Sequence, residues 1–75
     1  MSDRSERHDR AAKRHDDAAD RHQESADFWE AKGDTARASL QQRRVAYQRD
    51  GAEIERDHAQ LERDEEAEEQ TNNEN

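Results

Sequence analysis

The sequence predicts an all-α protein: an antiparallel two-helix hairpin with coiled-coil-like heptads that dimerises into a four-helix bundle. Three observations predict it. The chain repeats every seven residues from Arg7 onward, as RHDRAAK, RHDDAAD, RHQESAD, FWEAKGD, TARASLQ, QRRVAYQ, RDGAEIE, RDHAQLE and RDEEAEE, with no shift of phase. A seven-residue repeat returns the same helical face every two turns. The chain has no Pro and only two Gly, and its commonest residues are mostly good helix formers. A single stop-and-start signal, Lys32-Gly33-Asp34-Thr35, lies near the middle.

The first helix is expected over about residues 3–32. Gly33 suits the left-handed position just past a helix C-terminus, with Lys32 in the last turn, where a cation is favoured. Asp34 suits the N-cap of the second helix, expected over about 35–68. Residues 69–75 are expected to form a disordered acidic and polar tail.

Charge blocks favour the fold-back. Between Asp16 and Asp27 lie five acids and Arg21 alone among bases. Between Thr35 and Arg49 lie Arg37, Arg43, Arg44 and Arg49 with no acid. Folding at Gly33–Asp34 sets these blocks side by side, and opposite signs on antiparallel arms favour that orientation. The same pairing would serve two straight helices in an extended, domain-swapped dimer.

The expected hairpin core takes Leu40, Tyr47, Ile54 and Leu61 as one seam column, facing Trp29, His22, His15 and His8. A second apolar stripe, Ala38, Val45, Ala52 and Ala59, lies on roughly the opposite side of the second helix at 100° per residue. A helix with apolar stripes on two sides needs two neighbours. The expected partner interface is therefore Phe28, Trp29, Ala38, Val45, Ala52 and Ala59, with a second copy of the chain as the first partner.

Composition bounds the function. The 75 residues carry 45% charged and 27% apolar side chains, close to the range of disordered chains. The leading reading is a small helical interaction module for assembly, scaffolding or regulation through contacts with another protein, and a hydrophilic stress-protective protein is the main competing reading. Net charge is −8 at pH 7, with seven acids and one base from Glu62 onward. This balance disfavours general nucleic-acid binding. The tail reads as a solvated end, or else as a docking arm for a basic partner or an acidic mimic of nucleic acid. The basic stretch around Tyr47 reads as neutralised by the first arm rather than as a phosphate site. No Cys is present, so disulfides and thiolate metal sites are excluded. No apolar run reaches membrane-spanning length, and no membrane partner is expected. The expected location is the cytoplasm.

His8, His15 and His22 share one face, but successive members stand about 10.5 Å apart along a helix. Metal–nitrogen bonds are about 2 Å, so these three cannot meet on one ion within a chain. With His58 they are weak metal candidates. They read first as amphipathic spacers and second as a pH-responsive or metal-responsive face. No cofactor is expected. Catalysis is not expected either, because a two-helix hairpin encloses no pocket in which to shift a carboxylate's pKa.

Overall fold

The computed structural model describes residues 3–73, which form two helices joined by a short turn at 32–34. Helix α1 spans Asp3–Ala31 and helix α2 spans Thr35–Asn73. They pack side by side along a rod of 65 × 14 × 10 Å. Asp3 and Glu6 place acids in the first turn of α1, where the helix dipole favours them.

The joint is a Schellman turn fused directly to an N-cap. Gly33 has φ 79°. Its N–H donates to the Glu30 carbonyl at 3.0 Å, and the Asp34 N–H donates to the Trp29 carbonyl at 3.0 Å. These two bonds satisfy carbonyls that the end of α1 would otherwise leave open. Asp34 then begins α2. Its Oδ1 accepts from the Arg37 N–H at 3.0 Å, and its carbonyl accepts from the Ala38 N–H at 3.0 Å. One residue thus closes the first helix and opens the second, so the rotation of α2 about its own axis is tied to that of α1.

The Cβ of an alanine at position 33 would meet nothing within 4 Å. Gly33→Ala should therefore cost backbone strain alone, about 1 kcal/mol. For a domain of this size that lowers Tm by roughly 4–8 °C with helical content retained. Circular dichroism melting checks it, and an unchanged Tm would contradict the role given to the turn.

Packing between the arms differs from the sequence expectation. The buried side chains are Ser5, Ala12, Ala19 and Ala26 on α1 and Val45, Ala52 and Ala59 on α2. In a chain of two helices, only the other helix can bury them. The seam is therefore built from small residues. The expected core column faces outward, with Leu40 47%, Tyr47 73%, Ile54 59% and Leu61 54% exposed. Val45, Ala52 and Ala59, expected on the partner interface, lie inside the hairpin, and Ala38 is half-buried beside them. The two α2 stripes have exchanged places.

The physical reason lies on α1. Its inward columns are Ser5-Ala12-Ala19-Ala26 and His8-His15-His22-Trp29. Alanines permit close helix approach, and imidazoles need hydrogen-bond partners when taken from water. A facing column of Leu, Tyr, Ile and Leu would keep the helices apart and leave the ring nitrogens unpaired. The column three residues after the buried one on α2 is Gln41, Gln48, Glu55 and Glu62, and each member is half-buried.

Helix α2 also runs five residues beyond its expected end at 68. No Gly or Pro follows Gly51 to stop it. Residues 69–73, expected in a disordered tail, continue helix α2, while residues 74–75 lie outside the described residues.

Candidate functional site

The seam is a repeating polar ladder. His22 Nδ1–H donates to Gln41 Oε1 at 2.9 Å. One heptad on, His15 Nδ1–H donates to Gln48 Oε1 at 2.6 Å. One further, His8 Nδ1–H donates to Glu55 Oε2 at 2.6 Å. Antiparallel arms step in opposite directions, so each seven-residue advance on α1 meets a seven-residue retreat on α2. Buried alanines and Val45 fill the layers between.

The three layers are not alike. In the His15 layer, Gly51 lies against the imidazole: a Cβ there would come within 3.0 Å of the ring. The corresponding α2 position in the His22 layer is Arg44, and in the His8 layer it is His58. His8 and His58 rings stand 4.8 Å apart, edge to face at 61°. Helix α2 thus brings Glu55 and His58 to the one histidine of α1 that meets an acid. Donor atoms of His8, Glu55 and His58 all lie within 4.8 Å of one another. His15 and His22, the other metal candidates, face amides instead and stand in separate layers.

The hydrogen bond from His8 holds the Glu55 carboxyl below its ordinary value of 4.5. Desolvation opposes this, and the nearby charges of His8, His58 and His15 reinforce it. A carboxylate whose pKa is depressed by folding stabilises the fold above its unfolded pKa. That stabilisation is lost as pH falls from 4.5 through the lower folded value. Glu55→Gln keeps an acceptor for His8, as Gln48 and Gln41 do for the neighbouring rings. The variant should fold at pH 7 and show a flatter fall of Tm below pH 4.5 than the parent. Parallel acid limbs would remove Glu55 as a contributor.

Ion pairs between the arms gather toward the open end. Arg63 donates to Asp9 at 3.1 Å, Arg4 Nε lies 2.8 Å from Glu62 Oε2, and Arg56 pairs with Asp16. Nearer the turn, no ion pair joins Arg43, Arg44 or Arg49 to an acid of α1 among the described residues. The expected neutralisation of that basic stretch by the first arm is not what the packing delivers. Rotation of α2 has turned Arg43 and Arg44 toward the outer face, where they line a shallow groove with Leu40, Tyr47 and His22.

At the tip, Phe28 and Trp29 meet edge to face at 5.1 Å. Lys32 Nζ lies 5.5 Å from the Phe28 ring centroid and the Arg37 guanidinium 4.6 Å from that of Trp29. Trp29 is half-buried. It closes the hairpin against Arg37, while Phe28 stays 53% exposed.

Sequence reasoning missed the Gln41, Gln48, Glu55 and Glu62 column and the role of Gly51. The column's seven-residue spacing, in phase with the histidines of the other arm, is the signal that could have found it. Among the described residues no helix is long and apolar enough to cross a membrane. No protein-family model, curated protein or solved structure matches the chain.

Proposed function

We propose that this chain is a non-enzymatic helical interaction module of the cytoplasm that works by self-association through the outer face of α2. The observation that carries the reading is the exposed column Leu40, Tyr47, Ile54 and Leu61. It runs about 31 Å along the helix at seven-residue intervals. An apolar patch of this length on a small, highly charged chain marks an interaction surface.

A second copy fits it by charge. Around the column, α2 passes from basic (Arg37, Arg43, Arg44) to acidic (Asp50, Asp57, Asp64, Glu65). Two such faces laid antiparallel bring the basic end of each to the acidic end of the other. Leu40 then meets Leu61, and Tyr47 meets Ile54. Laid parallel, like charges would oppose along the whole length. The antiparallel pair is a four-helix bundle with α2 helices inside and α1 helices outside. Sedimentation equilibrium tests it: a dimer mass in the micromolar range supports the proposal, and a monomer at all accessible concentrations refutes it.

A further inference from the structure

We propose that His8, Glu55 and His58 form a binding site for a single first-row divalent metal ion of the zinc class, held across the open end of the hairpin. Glu55 and His58 sit three residues apart on α2, a spacing that turns both side chains to one face. His8 reaches the same point from α1. Donor atoms on a tetrahedral ion with bonds of about 2.0–2.1 Å stand roughly 3.4 Å apart. The present spread runs from 2.6 Å, between His8 Nδ1 and Glu55 Oε2, to within 4.8 Å overall. Small side-chain rotations close that difference without moving either backbone, since His58 is exposed and the other two are half-buried.

The surroundings of His8 fit a ligand role. Its Nδ1 faces Glu55, and its Nε2 lies 3.9 Å from Glu62 Oε1. A carboxylate behind a ligating imidazole orients the ring and raises its basicity. Glu62 is in turn held by Arg4 at 2.8 Å. Two imidazoles and one carboxylate suit zinc, cobalt, nickel or copper better than magnesium or calcium, which prefer oxygen donors throughout.

The repeat supplies its own internal comparison. The equivalent trios in the other layers are His15, Gln48 and Gly51, and His22, Gln41 and Arg44. Neither contains three ligand-type side chains. Among the described residues the metal-binding set occurs once, at the end of the rod remote from the covalent turn. A bridging ion there ties the two free arms together and stabilises the folded state.

The test is calorimetric titration of the full chain with zinc chloride alone, paired with thermal melts. The expected result is one equivalent bound per chain and a raised Tm. His58→Ala, an exposed substitution that leaves the hairpin intact, lowers the affinity at least about tenfold. His15→Gln, which removes an imidazole from the next layer, leaves it within about twofold. Absence of saturable binding would overturn the assignment, as would an affinity that survives His58→Ala or falls equally in both variants.

Discussion

Ala52→Leu should abolish cooperative thermal unfolding. Ala52 is fully buried on α2, and the only surface that can bury it is the alanine column of α1. A leucine there adds three carbons to a seam with no room for them, and the helices must separate along their length. Overpacking costs about 1–3 kcal/mol in a large core that can share the strain. A two-helix rod has no other layer to yield, and a chain of this size has only a few kcal/mol to lose. Separation also lengthens the His15–Gln48 and His8–Glu55 bonds on either side. The far-ultraviolet dichroism of Ala52→Leu should fall without a sharp transition on heating. A leucine placed at an outward position, Ser39→Leu, should leave a cooperative melt. If Ala52→Leu melts like the parent, the small-residue seam is not the inner face.

Ile54→Asp should convert the protein to a monomer while leaving the hairpin helical. Ile54 is exposed within the hairpin, so the single chain loses no internal contact. In the proposed antiparallel pair it opposes Tyr47 near the centre of the interface, and the two-fold axis makes the substitution occur twice. Each aspartate would replace an apolar contact with Tyr47 by a carboxylate that must shed its water at the centre of the interface. Desolvating a charge at the middle of an apolar interface costs several kcal/mol. That corresponds to at least about a hundredfold in dissociation constant. Sedimentation equilibrium of parent and variant at matched concentration reads it directly. A variant that retains the parent's mass would place the contact elsewhere.

These expectations depend on the rotation of α2, the part of the fold least legible in the sequence. The hairpin itself was legible. Gly33 and Asp34 carry a stop and a start in adjacent positions, and the heptad phase requires long helices. Periodicity gives the angle between stripes on a helix, but it does not say which stripe faces inward. Both α2 stripes repeat every seven residues. Ranking them by hydrophobicity puts Leu40, Tyr47, Ile54 and Leu61 inside. The deciding feature is the other arm: alanines that allow close approach, and histidines that need acceptors. Only the face carrying Ala52 beside Gln48 and Glu55 meets both demands. Histidine spacing correctly kept His8, His15 and His22 apart. It could not show that His58 and Glu55 join His8, because that meeting depends on the register across the arms. Helix α2 runs past 68 because no Gly or Pro within 69–73 ends it.

The central claim is that α1 packs on the Val45, Ala52 and Ala59 face of α2 and leaves the Leu40–Leu61 face outside. Proton nuclear Overhauser contacts on the labelled chain in solution test it most directly. The methyl groups of Ala12, Ala19 and Ala26 should show cross-peaks to those of Val45, Ala52 and Ala59. They should show none to the methyls of Leu40, Ile54 or Leu61. Cross-peaks from the α1 alanines to Ile54 and Leu61, with Ala52 and Ala59 free of them, would contradict the account.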